Sequence, residues 1–214
     1  MLSETILAIM RINRMRNTDK GLKRMKKKIR ISFNSPLVLG FALACAAVML
    51  LGQLTGRRST ILLFSTRAAS LADPLMYLRL FTHVLGHADW AHLLANMSYI
   101  LLLGPMLEEK YGWQDLLLVI GVTAFVTGVV HNLLFPGSML LGASGVVFAF
   151  ILLTSFTGFR EGEIPLTFIL VAVLYLGQQV WDGLTVRDSV SNLTHILGGL
   201  VGSGAGYLLN VRTR

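Results

Sequence analysis

The sequence predicts an all-α membrane protein of six spanning helices, and three observations lead there. Of 214 residues, 54% are hydrophobic and 14% charged, against about a quarter charged in a typical soluble domain. Mean hydropathy is +0.65, too apolar for a surface that faces water throughout. Five stretches, 31–56, 90–107, 116–159, 164–181 and 189–211, contain no Asp, Glu, Lys or Arg, and a helix needs about 20 apolar residues to cross the hydrocarbon core.

Taken in chain order, residues 1–35 form a basic tail and 36–214 a membrane domain. The first span is expected at 37–54, long enough to act as an uncleaved anchor rather than as a signal peptide. Its Cys45, the single cysteine, has no disulfide partner in the chain and is assigned to core packing. Residues 57–90 are too polar to cross, yet Ile61 to Phe64 and Pro74 to Phe81 are apolar enough for short helices lying in the interface. The second span is expected at 91–107. Between 116 and 159 there is room for two spans, 116–134 and 140–157, separated by a turn at Asn132 to Ser138 where Pro136-Gly137 ends a helix. The fifth and sixth spans are expected at 165–181 and 190–209.

Orientation follows from Lys and Arg, which stay cytoplasmic during insertion. An even number of spans puts both termini on one side. That side carries 14 basic residues, ten of them in the tail, whereas Arg57, Arg58, Arg67, Arg79 and Arg187 make five on the other. Both termini are therefore expected in the cytoplasm, in a multi-pass protein of the plasma membrane. The net charge of +8 then reads as an orientation and lipid-surface signal. No nucleic-acid partner is expected, because a reading motif and stacking aromatics are missing.

Polar side chains inside a span are costly and mark candidate sites. His92 and Asn96 stand four residues apart, on one helix face. Ser144 lies in the run Gly142-Ala143-Ser144-Gly145, and His195 follows Asn192 and Thr194 in the sixth span. Each has a plain structural alternative: a serine hydroxyl bonding the carbonyl four residues back, a histidine satisfied by a neighbouring helix, or an interhelical hydrogen bond. Their combination points further. Spans two, four and six all enter from the non-cytoplasmic side, so these residues share a depth near that surface. Gly198, Gly202 and Gly206 follow His195 on one face, and such a stripe admits a close neighbour, for which Gly145 and Ala149 offer a small surface. The chemistry asks for these types: a serine hydroxyl needs a base, and neutral histidine is that base near neutral pH. Asn96, His92 and the Ser144 backbone N–H could serve the oxyanion. Asp182 and Asp188 sit in a loop, so a Ser-His dyad is expected rather than a triad.

These residues resemble the signatures of the rhomboid intramembrane serine proteases, in the same order. Phe81-Thr82-His83, His87 and His92-x-x-x-Asn96 are similar to the family's first signature, and Gly104-x-x-x-Glu108 to its G-x-x-x-E. Gly142-x-Ser144-Gly145 is similar to the nucleophile motif, and His195-x-x-Gly198 with Gly199 and Gly202 to the helix carrying the base. The resemblance covers about residues 36–209. It implies a six-helix bundle with an outward-opening wet cavity, a first loop lying in the outer leaflet, Ser144 as nucleophile, His195 as base, and His92 and Asn96 at the oxyanion. Gly142, Gly145, Phe148 and Gly198 would support the site. Transmembrane protein substrates and the bilayer are the implied partners. Two positions depart from the pattern: Leu78-Arg79 replaces Trp-Arg, so loop anchoring is expected to differ, and Phe148 replaces a tyrosine, keeping a ring face for His195.

Other functions fit less well. A catalytically inactive relative that binds membrane clients would usually lack the serine or the histidine, and both are present. A transporter would need acidic residues within the spans or symmetry between the halves. His83, His87 and His92 come without a carboxylate or an H-E-x-x-H pattern, so no metal is expected and no cofactor is implied. His83, His87 and His131 are read as making structural hydrogen bonds.

Overall fold

The computed structural model describes residues 34–157, 163–177, 181 and 189–212. The tail up to residue 33, Arg160, Asp182, Arg187, Asp188 and Arg214 lie outside the described residues. Eight α-helices are described: α1 Pro36–Leu54, α2 Arg58–Leu63, α3 Pro74–Thr82, α4 Trp90–Tyr111, α5 Trp113–Leu134, α6 Ser144–Ser155, α7 Leu166–Val171 and α8 Ser189–Arg212. Helix α3 runs into a 3-10 turn, His83–Leu85, and α7 into a π turn, Ala172–Leu176. The chain is an all-helical membrane bundle, with α1, α4 and α5 long and apolar enough to cross a bilayer.

Local chemistry sets the helix ends. Pro36 suits the first turn of α1, where a missing N–H costs nothing, and the first free N–H groups, of Leu37 and Val38, both donate to the Glu108 carboxylate at 3.0 Å. That carboxylate faces the positive end of the helix dipole. At the other end Gly56 and Arg57 take φ of 56° and 67°, reversing the chain. Asp73 caps α3 by accepting from Leu75 N–H, and Asp89 caps α4 by accepting from His92 N–H. Gly112, at φ 82°, separates α4 from α5.

The expected 140–157 span is corrected. Helix α6 starts only at Ser144 and has 12 residues, about 18 Å of helix at 1.5 Å per residue. Residues 140–143 are instead non-helical, because Leu140 exchanges both backbone hydrogen bonds with Thr66 at 2.9 Å and Gly142 takes φ 127°, incompatible with a helix. Where the 165–181 span is expected, the described residues form one continuous apolar helix from Leu166 to Leu176, α-helical over its first six residues and π-helical over the next five; residues 178–180 lie outside the described residues. Helix α8 is long, 24 residues, but carries Asn192, Thr194, His195, Ser203 and Asn210.

Short α6 is the centre of the bundle. Val146, Val147, Ala149, Phe150, Ile151, Leu152 and Leu153 are all buried, a helix apolar on every side and therefore enclosed on every side. Helices α4, α5 and α8 pack around it and turn Leu102, Leu118 and Leu208 outward. Cys45 is fully buried in the core, as its packing role requires.

The first loop folds as the expected short helices, α2 and α3. Arg79 is 5% exposed; its Nε donates to the Leu62 carbonyl at 2.7 Å and its Nη1 pairs with Asp73 at 3.2 Å. Thr82 Oγ1 donates to the Leu63 carbonyl. Anchoring at Leu78-Arg79 is thus carried by the arginine, while Leu78 is exposed.

Candidate active site

The site forms where the non-helical segment 138–143 meets α6. Thr66 holds this segment through the Leu140 bridge, and its Oγ1 exchanges hydrogen bonds with Asn132 at 3.0–3.2 Å. Gly142 N–H donates to the His83 carbonyl at 3.0 Å, and the His131 ring lies 3.2 Å from the Ser138 carbonyl. The first loop and α5 therefore clamp the approach to Ser144. Nothing in the sequence announced this clamp, since backbone hydrogen bonds leave no trace in side-chain type.

Ser144 is the first residue of α6, half-buried. The first backbone bond of the helix runs from Val147 N–H to Ala143 O at 2.9 Å, so the N–H groups of Ser144, Gly145 and Val146 precede it, at the positive end of the dipole. Ser144 was expected inside a helix; at its start it gains these donors beside its hydroxyl.

His195 reaches this end of α6 through two contacts. Its ring stacks on Phe148 with centroids 4.3 Å apart and planes 3° apart, and Phe148 in turn meets the edge of Tyr175 at 6.1 Å. One turn along α8, Gly198 lies against the Gly145 backbone carbonyl, and Gly202 against that of Ala149. Helices α6 and α8 thus touch backbone to backbone along the expected stripe. Gly206 faces the Phe156 ring, where a Cβ would come within 2.6 Å.

His92 lies against Gly142, two residues before Ser144. A Cβ on Gly142 would lie 2.7 Å from His92 Cε1 and 2.9 Å from Nε2, so the positive φ and the contact both require glycine there. One turn down α4, Asn96 is buried, and its Nδ2 has no hydrogen-bond partner among the described residues. The structure brings Ser144, Gly145, Phe148, His195 and Gly198 together across α6 and α8, with Gly142 and His92 in contact beside them.

The loop histidines are engaged as expected. His83 Nε2 lies 3.0 Å from the Ala124 carbonyl, and His87 Nδ1 lies 3.2 Å from that of Leu85. Burial pushes His83 down to about 4, and burial with the neighbouring His92 pushes His87 down to about 4. His83 and His87 do not share a helical face, because the chain passes from a 3-10 turn into a loop between them. Among the described residues no group of three His, Cys, Asp or Glu could hold a metal. Asp182 and Asp188 lie outside the described residues.

Comparison with known proteins agrees with these motifs. The Rhomboid domain family model matches residues 74–212. The chain is 30% identical over 171 residues to Rhomboid protease GlpG of Pectobacterium atrosepticum and 29% identical to that of Serratia proteamaculans, each alignment covering 78% of this chain and 60% of the relative. The GlpG of Yersinia pestis is 28% identical over the same coverage. The chain therefore spans about 60% of the length of these curated relatives. With a matching domain over most of its membrane bundle, the chain belongs to the rhomboid family.

Proposed function

We propose that the protein is an intramembrane serine endopeptidase that cuts membrane-anchored proteins near the outer face of the plasma membrane, through Ser144 and His195. The observation that carries this reading is the coplanar stack of His195 on Phe148, one turn from Ser144, with Gly198 seated on the Gly145 carbonyl. It supports an imidazole held about one helical turn from a hydroxyl at a helix start lined with free N–H groups. In this reading the chain crosses six times with both termini cytoplasmic, the short α6 and the helix that begins with α7 crossing only as parts of the enclosed bundle.

His195 would take the Ser144 proton as Oγ attacks the scissile carbonyl, and the negative charge would fall on the carbonyl oxygen. Asn96 Nδ2, the His92 ring and the Ser144 N–H would donate to that oxygen. His195 then passes its proton to the departing amine as the C–N bond breaks. A water, deprotonated by His195, attacks the acyl-enzyme, and Ser144 Oγ leaves with the proton. Stacking on Phe148 holds the imidazole orientation through both proton transfers. A substrate helix must unwind to present its carbonyl, which favours cutting beside small or helix-breaking residues.

The test is labelling of the membrane-embedded protein with a fluorophosphonate probe. Wild type should label, while Ser144→Ala and His195→Ala should not, with folding retained in both. A wild type that stays unlabelled beside a reactive control protease would overturn the enzymatic reading in favour of an inactive client-binding protein.

A further inference from the structure

Between the end of α1 and the start of α4 lies a cavity of about 240 Å³, lined among others by Gln53, Arg57, Thr60, His87, Asp89 and Trp90. Proteolysis uses none of these side chains. His87 is 2% exposed, with Nδ1 at the Leu85 carbonyl and Nε2 buried without a hydrogen-bond partner among the described residues. With Nδ1 donating to a carbonyl, the neutral ring offers Nε2 as an acceptor. The imidazole is held neutral by burial and by His92, its pKa pushed down to about 4.

Two opposite charges line the same cavity without pairing. The ion pair among the described residues is Arg79–Asp73, so neither Arg57 nor Asp89 is neutralised by a described side chain. Arg57 moreover holds φ 67°, the one described non-glycine residue with positive φ. A cation, an anion and an unengaged buried acceptor around one small cavity complement a zwitterion whose positive end carries N–H donors. Its depth fits a headgroup: Trp90 lines it, and tryptophan favours the membrane–water interface. Along α1, Leu50 and Leu51 are exposed, an apolar face for acyl chains.

We propose that this cavity binds the headgroup of a phospholipid bearing a primary ammonium, as in phosphatidylethanolamine, with its phosphate at Arg57 and its ammonium shared by His87 Nε2 and Asp89. The site is separate from the Ser144 chemistry, although the His87 ring meets His92 edge to face at 5.1 Å. The occupied pocket would therefore stand directly behind His92.

The experiment is native mass spectrometry of the full chain released from nanodiscs holding equal amounts of phosphatidylethanolamine and phosphatidylcholine with the same acyl chains. Choline keeps the positive charge and has no N–H, so the wild type should retain the ethanolamine lipid about tenfold over the choline lipid, the worth of one charge-assisted hydrogen bond. His87→Phe, which keeps a ring in the core, and Asp89→Asn, which keeps an oxygen for the His92 N–H, should each return the ratio to that of the bilayer, while Arg57→Gln, at an exposed position, should lower retention of both lipids, whose phosphate is the same. Equal retention by wild type overturns the proposal, as does a preference that survives both His87→Phe and Asp89→Asn. Should His87→Phe misfold, the lipid comparison on wild type and Asp89→Asn decides alone. Soluble glycerophosphoethanolamine is added in a separate arm to nanodiscs of phosphatidylcholine alone. Failure to bind at millimolar concentration supports a membrane lipid as the source, and tight binding overturns that assignment.

Discussion

Asn96 brings an amide into the bundle whose nitrogen finds no acceptor among the described residues, so Nδ2 loses no such bond when it is removed. Asn96→Ala should therefore leave thermal stability unchanged or raised, because an unsatisfied buried donor is itself costly. Its effect should fall on turnover: kcat/KM against a transmembrane substrate drops about 10²–10³-fold when a major oxyanion donor is lost, and His92→Ala falls in the same range. Unchanged kcat/KM in both variants would remove the oxyanion role. The loop histidines predict a pH effect with a definite sign. His83 and His87 sit at about 4 in the fold against an ordinary 6.5, so between those values the unfolded chain binds protons that the folded chain refuses. Stability is full above pH 6.5, is lost as pH falls towards 4 and levels off below it, a loss on the order of a few kcal/mol. Thermal unfolding in nanodiscs from pH 7.5 to 4.5 should show Tm falling from about pH 6.5, less steeply in His87→Phe; a flat Tm would contradict the burial of both rings as neutral species. The candidate residues could be read from sequence because a hydroxyl, an amide and an imidazole stand out in charge-free spans. Their supports could not: the His83 carbonyl that takes the Gly142 N–H and the bridge from Thr66 to Leu140 are backbone contacts, blind to residue type.

Elements were legible to different degrees, for physical reasons visible in α6 and α8. The glycine stripe from Gly198 to Gly206 marked a close helix contact, and the partners Gly145 and Ala149 are where small residues made room. The start of α6 was hidden because Leu140 and Leu141 are as apolar as the helix that follows, and hydropathy does not register the Gly142 φ that separates them. Likewise Glu108, placed in a motif, gave no hint that it would cap α1 some 70 residues away. The stripe makes a paired prediction. A Cβ at Gly198 would collide with the Gly145 backbone carbonyl, which cannot rotate aside, so Gly198→Ala must push α8 from α6 and draw His195 off Phe148. Overpacking of this kind costs about 1–3 kcal/mol, and fluorophosphonate labelling should be lost with it. Gly204 has nothing within 4 Å, and alanine is favoured there by up to about 1 kcal/mol of helix propensity. Gly204→Ala should therefore keep its labelling with Tm equal or higher. Equal behaviour of the two variants would show that the α6–α8 backbone contact is not what holds His195 in place.

At the scale of the whole molecule, the design encloses a short polar-headed helix within longer apolar ones. A 12-residue α6 could not cross a bilayer alone, and its central position frees it from having to, since α4, α5 and α8 satisfy its surroundings. The same arrangement sets Ser144, His92 and the α1–α4 cavity at one end of the bundle, and the Glu108 cap, the Lys110 contact with the Thr157 carbonyl and the Asn210 contacts with Tyr111 and Phe156 at the other. Which end faces the cytoplasm rests on charge: fourteen Lys and Arg against five, a bias that governs insertion over loops as short as these. Cys45, the only cysteine, is fully buried, so thiol labelling of intact cells starts from a silent background. Arg67→Cys, exposed in the first loop, should react with a membrane-impermeant maleimide added outside, whereas Lys26→Cys in the tail should react only after the membrane is opened. The reverse pattern would turn the bundle over and put proteolysis at the cytoplasmic face. Labelling of both from outside would mean an even number of crossings between them, so that α1 would have to be read as lying in the membrane without spanning it.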